Sequence, residues 1–199
     1  MKKKLFDISF ALILIIILFP LVLIISLLIF FLMGRPILFI QGRPGKDGKI
    51  FYLYKFRTME NNKKNIMNDE KRITRLGHFL RTTSLDELPE LFNVLKQDMS
   101  FVGPRPLLID YLKHYDQFQM KRHDVLPGIT GWAQINGRNK ITWSEKFKLD
   151  VWYVENSSFI LDIKIIIITI KKVLFLEGIS PDEGVIMKRF DEEFYEKKE

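Results

Sequence analysis

LFDISFALILIIILFPLVLIISLLIFFLM, residues 5–33, is apolar almost throughout, interrupted by Asp7, Ser9, Pro20 and Ser26. Roughly 20 apolar helical residues cross a hydrocarbon core, so this stretch is long enough to belong in a membrane. Pro20 lies near its middle and lacks the backbone donor a helix interior needs, which predicts a kink or a break. Each half would then be about 18–22 Å long, and neither alone reaches across. Lys2, Lys3 and Lys4 precede the stretch and Arg35, Arg43, Lys46 and Lys49 follow it, so the positive-inside preference puts both flanks on the cytoplasmic side. A re-entrant hairpin satisfies both flanks and a kinked span satisfies one; at this point both readings stand. The run is too long for the apolar part of a secretory signal, and no small-x-small cleavage site precedes Gly34.

Beyond this segment the 199 residues leave room for one compact domain. The division expected is a membrane segment over residues 1–34 and one compact domain over residues 35–199. The net charge of +7 and pI of about 9.5 suit a polyanion: nucleic acid, acidic lipid or a phosphate-bearing substrate. With no cysteine there is no disulfide, thiolate nucleophile or Cys-ligated zinc. His78, His114 and His123 are scattered without metal-ligand spacing.

Residues 37–41 and 50–56 are β-prone and flank GRPGKDGK, which predicts a β-hairpin with a basic tip. Residues 60–71, rich in Asn and Lys, read as a surface loop or a lid. Helical spacing of Leu85, Leu88, Leu91, Phe92 and Leu95 predicts an amphipathic helix, as does that of Leu108, Tyr111, Leu112, Tyr115 and Phe118. Trp143, Phe147, Val151 and Val154 mark a third. Residues 159–176 are apolar, but Asp162, Lys164, Lys171 and Lys172 leave too short a clean run to span; a membrane surface or the core suits them. The fold expected is mainly α with a small β-hairpin.

RTTSLDELPELFNVLKQDMSFVGPRP, residues 81–106, is the stretch richest in chemistry. Ser84 and Glu87 fit the S-x-x-E capping box, which would make Glu87 a backbone cap and Asp86 a partner of the helix dipole. On a helical wheel Asp86 lies nearly opposite Leu88, Phe92 and Leu95, free to face a wet cleft, and a helix start suits phosphate. Pro89 fits poorly inside a helix and predicts a late or distorted first turn. Lys55, Arg57, Arg81, Arg105 and Arg138 offer the charge relief that a carboxylate near phosphate requires. Residues 127–139 combine Gly128, Gly131 and Gly137 with Gln134, Asn136 and Arg138, a composition of ligand loops and of ordinary tight turns alike. Asp150 borders an apolar stripe, so it either pairs with a buried partner or faces the site.

The strings YKFRTM, TSLDELPELFNVLKQDMSFVGPRP, LPGITGWAQINGRN and LDVWYVEN, in this order, resemble the bacterial sugar transferases known as monotopic phosphoglycosyl transferases, most closely their small single-domain members. The resemblance covers most of residues 51–156. It implies that Asp86 and Glu87 form the catalytic dyad, with Asp86 the covalent nucleophile and associated with magnesium. Arg138, Arg105 and Arg81 would hold phosphate or shape the site, and Lys55 and Arg57 would lie on the basic strand beside it. Asp150, Gln134 and Asn136 remain further site candidates.

The resemblance also implies a re-entrant amino-terminal helix broken at its proline, with interfacial amphipathic helices around a catalytic domain on the cytoplasmic face of the bacterial inner membrane. Phe19 stands before Pro20 where members often have serine, a departure that removes a hydroxyl from the expected break. The expected reaction moves a sugar 1-phosphate from a UDP-sugar to undecaprenyl or another polyprenyl phosphate and releases UMP, the first membrane step of glycoconjugate assembly. Membrane lipid is an expected partner, nucleic acid is not, and a homodimer is left open. The rival is a non-catalytic membrane-anchored protein binding anionic lipid or nucleic acid, for which no nucleic-acid motif is found.

Overall fold

The computed structural model describes residues 2–60, 72–137, 141–175 and 189–191. Of the expected surface loop only Glu60 falls within them, and Arg138 lies outside them. The chain is mainly helical: α1 Lys2–Met33, α2 Arg75–Thr82, α3 Glu90–Leu95, α4 Gln117–Met120, α5 Trp132–Asn136, α6 Trp143–Asn156 and α7 Phe159–Leu174. β1 Leu38–Pro44 and β2 Ile50–Phe56 form the expected antiparallel hairpin, Leu38 opposite Phe56 and Pro44 opposite Ile50. β3 Ser100–Val102 and β4 Gly128–Thr130 form a short parallel pair.

α1 is one helical element with Pro20 inside it. The proline removes a single donor, and the turns on either side keep their own bonds, so the expected break does not interrupt the helix. Both halves of α1 lie on the same body. Ala11 is buried with Leu91, Val94, Phe101 and Ile165, while Ile25 and Ile29 are buried with Phe56 and Leu80. Its other face, including Ile13, Ile16, Ile17, Ile24 and Phe31, is exposed.

Polar groups fasten both ends. Near the start, Lys3 donates to the Val102 carbonyl at 3.1 Å and pairs with Asp162, whose other oxygen accepts from the Tyr153 hydroxyl at 2.6 Å. Asp7, 2% exposed, accepts from the Phe101 amide at 3.4 Å. At the far end, Arg57 donates to the carbonyls of Met33, Gly34 and Arg35 at 2.6, 2.7 and 3.0 Å. The Met33 carbonyl is among those a helix end leaves without internal partners, and Gly34 and Arg35 follow it directly.

Two expected helices are divided. Residues 85–95 form a 3-10 turn over Leu85–Glu87 followed by α3, with Pro89 as the helix N-cap, ahead of the turns in which a missing donor would cost a helical bond. Residues 108–118 split likewise into a 3-10 segment Ile109–His114 and α4. α6 matches its expected stripe, burying Trp143, Phe147 and Val151, and starts at a Thr142–Glu145 capping box. α7 buries Ile165 and exposes Ile160, Ile167 and Ile170.

Candidate active site

The Leu85–Glu87 turn is held between the hairpin and the loop that follows β3. Asn93 fixes α3 against β2, its Oδ1 accepting from the Tyr54 amide at 3.1 Å and its Nδ2 donating to the Tyr52 carbonyl at 2.7 Å. That contact sets Lys55, the next residue of β2, against the dyad. Its Nζ is 2.6 Å from Glu87 Oε1 and 3.2 Å from Glu90 Oε1. Arg105 donates to the same Glu87 oxygen.

The Ser84–Glu87 capping box does not form. Ser84 takes a left-handed φ of 56° and its side chain makes no cap bond. Glu87 is instead committed to two cations, and such charge-assisted bonds outweigh a bond to a neutral amide.

Arg105 is carried by a loop that glycine makes possible. The Gly103 amide bonds the Thr130 carbonyl at 2.9 Å, and the Gly128 amide bonds the Pro104 carbonyl at 3.1 Å. A Cβ on Gly103 would stand 2.2 Å from the Leu126 carbonyl oxygen, so the FVGPRP and LPGIT segments meet only because that carbon is absent. Arg122, missed in the sequence, ties this loop down: it donates to the Arg105 carbonyl at 2.7 Å and to Asp150 Oδ2 at 2.8 and 3.2 Å. Arg122 and Asp150 are 2% and 3% exposed, so Asp150 does find a buried partner while also bordering the cavity. A buried arginine without a hydrophobic alibi was invisible at helical spacing, because its partner lies on α6.

Beside the turn is a cavity of about 450 Å³, walled by Glu87, Arg81, Arg105, Lys146, Asp150 and Gln134 among others. Arg81 also donates its Nε to Thr58 Oγ1 at 2.9 Å. Gln134 lines the cavity and donates to the Ile129 carbonyl at 2.9 Å. Asn136 is exposed at the end of α5, bonded to the Trp132 carbonyl, and is not in the wall. Asp86 is half-buried in the turn rather than in the wall, and Lys55 and Arg57 are likewise outside it. Lys55 nonetheless meets the dyad, whereas Arg57 serves the end of α1.

Burial and the neighbouring Glu87 charge raise the Asp86 carboxyl, opposed by Lys55, Arg105 and Arg81. Burial would raise Glu87 too, but Arg105 and Lys55 outweigh it and hold that carboxyl down at about 2. The two members of the dyad are thereby pushed apart, the pattern of adjacent carboxyls with different tasks. Burial lowers Lys146, in the far wall, to about 8.

On the other side of the turn lies a second cavity, of about 730 Å³, lined by Val22 and Phe30 of α1, Phe56 of β2, and Pro89 and Phe92 of α3, with Arg35 and Lys96 also in its wall. The segment from Glu87 to Pro89 therefore borders a cavity with several cations in its wall and an apolar one.

Among the described residues no group of three or more His, Asp or Glu could hold a metal unaided. Glu87 is taken by its cations, which leaves Asp86 as the available carboxylate. Magnesium commonly takes one or two carboxylates plus substrate phosphates and water, so this donor set fits an ion that arrives with a diphosphate.

A family model described as bacterial sugar transferase matches residues 1–176. The uncharacterized sugar transferase EpsL of Bacillus subtilis is 52% identical over 191 residues, 94% of this chain and 95% of that protein. Galactosyl transferase CpsE of Streptococcus agalactiae is 46% identical over 162 residues, 73% of this chain and 36% of its own length. The UDP-glucose:undecaprenyl-phosphate glucose-1-phosphate transferase of Xanthomonas campestris is 43% identical over 153 residues, 70% of this chain. The chain spans 32% of that last relative.

Proposed function

The chain belongs to the bacterial sugar transferase family, and on that premise we propose that it moves a sugar 1-phosphate from a UDP-sugar to undecaprenyl phosphate or a similar polyprenyl phosphate. The observation that carries this is that the segment Glu87 to Pro89, next to Asp86, borders both cavities. A nucleotide sugar suits the cationic one and a lipid chain the apolar one. The name of the Xanthomonas relative supports the same chemistry, and that of the Streptococcus relative supports transfer of a sugar.

In the first step an Asp86 carboxylate oxygen attacks the β-phosphorus of the UDP-sugar, the bond to the α-phosphate oxygen breaks, and UMP leaves. In the second, a phosphate oxygen of the polyprenyl phosphate attacks the same phosphorus. The aspartyl–phosphorus bond breaks, Asp86 is regenerated, and a polyprenyl diphosphosugar departs. Glu87, fixed by Lys55 and Arg105, orients the nucleophile's turn, while Arg81 and Arg105 meet the diphosphate's charge. Magnesium, held by Asp86 with the substrate phosphates, would offset the repulsion between anionic nucleophile and anionic substrate.

α1 in this reading bends at Pro20 without ending, enters the cytoplasmic leaflet of the inner membrane and returns. Support comes from both flanks being basic and both halves resting on the same domain, Lys3 and Asp7 at one end and Arg57 at the other. A straight span would carry Asp7 away from Phe101 or drag the domain into the bilayer. Labelling of the amino terminus in sealed vesicles of both orientations tests this: a re-entrant helix gives the same sidedness for both flanks, and opposite sidedness rejects it.

The decisive experiment incubates the full chain in detergent with magnesium and a panel of UDP-sugars, with polyprenyl phosphate added second. UMP release followed by a diphosphosugar lipid is expected. Absence of UMP with every sugar, while anionic lipid still binds, would favour the non-catalytic rival.

A further inference from the structure

Glu90 has no part in the steps above, yet it is 2% exposed and faces them. It lies one turn before Asn93 on α3, and Asn93 is bonded to β2 through the Tyr54 amide and the Tyr52 carbonyl. The two side chains share a helix face, so the same rivet that anchors α3 brings Glu90 to Lys55. Lys55 Nζ then bridges two carboxylates, at 2.6 Å from Glu87 and 3.2 Å from Glu90. Glu87 has a second cation in Arg105. A second buried carboxylate beside the dyad is costly unless it holds something in place.

We propose that Glu90 is a positioning residue for the first displacement: its carboxyl seats Lys55 against Glu87, and whether it carries a proton sets how much of the lysine's charge is left to offset Glu87 in the wall that the incoming diphosphate meets. This rests on the phosphotransfer reading given above. Protonated, Glu90 still offers Lys55 a carbonyl oxygen and takes none of its charge. Ionised, it draws on the same ammonium that offsets Glu87, and leaves that wall of the cavity less positive towards the substrate's phosphates.

The surroundings place that change near neutral pH. Burial and the Glu87 charge push Glu90 up to about 7, against the opposing pull of Lys55 and Arg105. The charged groups facing it are Lys55 of β2, Glu87 of the turn, Arg105 after β3 and Arg43 of β1. α1 meets this region with apolar side chains such as Leu14, Ile15 and Leu18.

The test follows UMP release by the full chain in detergent, from mildly acidic to alkaline pH, for the parent, Glu90→Gln and Glu90→Leu. The parent should lose kcat/KM for UDP-sugar as pH rises through about 7. Glu90→Gln, which seats Lys55 without a titrating charge, should keep the parent's acid-side rate and lack that decline. Glu90→Leu should fall roughly tenfold to a hundredfold at every pH, through loss of a bond to a charged group. A Gln profile superimposed on the parent's overturns the proposal, as does a Leu variant that is folded by circular dichroism and fully active. If the Leu variant does not fold, the Gln profile decides alone. A parent that releases no UMP overturns the phosphotransfer reading itself, a result distinct from either of these.

Discussion

Lys55 Nζ stands 2.6 Å from Glu87 Oε1, the oxygen that also accepts from Arg105. A carboxylate held by two cations, at about 2, is a poor base and a poor nucleophile at neutral pH. Asp86, raised by burial, is the member of the dyad left for covalent chemistry. Asp86→Asn should therefore abolish the phosphosugar adduct seen by intact mass, with UMP release down roughly a thousandfold or more. Glu87→Gln, which keeps the shape and loses the charge, should still form the adduct, roughly tenfold to a hundredfold more slowly. An adduct of undiminished yield on Asp86→Asn would remove the proposed nucleophile.

The same pair makes stability depend on pH with a definite sign. Glu87 titrates at about 2 in the folded chain against an ordinary 4.5, so the folded state favours its ionised form. Its contribution is complete above about 4.5 and is lost as pH falls towards 2. At neutral pH Glu87→Gln should melt lower than the parent by the equivalent of about 1–3 kcal/mol, the usual loss of a bond to a charged group. The gap should close on acidification. Thermal melts in detergent at a series of pH values check this, and a gap that widens in acid contradicts the assigned pairing.

Much of this was legible in the sequence. The apolar run, the hairpin and the α6 stripe each have a periodicity or composition that survives folding. Glu87 and Arg105 stood out because their motifs are contiguous, and the structure brings them together with Lys55. Other features depend on distant partners. Arg122 and Glu90 are defined by what they meet, Asp150 on α6 and Lys55 on β2, and no spacing announces such pairs. Arg57 reads as a phosphate ligand beside Lys55, but it lies one residue past the end of β2 and is spent on the carbonyls at the end of α1. The apparent capping box failed for a related reason, since a local pattern carries no warning that two cations from elsewhere will claim Glu87.

Gly77 ties α2 to the site. A Cβ there would lie 1.9 Å from the Thr58 carbonyl oxygen, a backbone atom with little freedom to move. Thr58 also receives Arg81 Nε through its hydroxyl at 2.9 Å. Gly77→Ala should cost about 1–3 kcal/mol of stability, the range for overpacking a tight contact. It should also raise KM for the UDP-sugar by displacing Arg81, whereas Thr82→Ala, at a half-buried position on the same helix whose hydroxyl bonds only local carbonyls, should not. An unchanged KM for a folded Gly77→Ala would separate Arg81 from substrate binding.

The apolar cavity separates the two half-reactions. Phe92 and Phe56 line it, and Phe92 is 47% exposed, so its side chain can be replaced without opening the core. A lipid chain lying there leads up to Pro89, three residues from Asp86 in a turn that the nucleotide sugar meets from the other side. Phe92→Asp puts a charge on a surface meant for hydrocarbon, which costs roughly 2.5–3.5 kcal/mol where water is excluded. Transfer from the aspartyl adduct to polyprenyl phosphate should slow by about a hundredfold, the rate equivalent of that energy. The burst of UMP formed before any lipid is added should match the parent's, because the cationic cavity is untouched. Single-turnover measurements resolve the two: equal slowing of burst and transfer, or of neither, would dissociate this cavity from the acceptor.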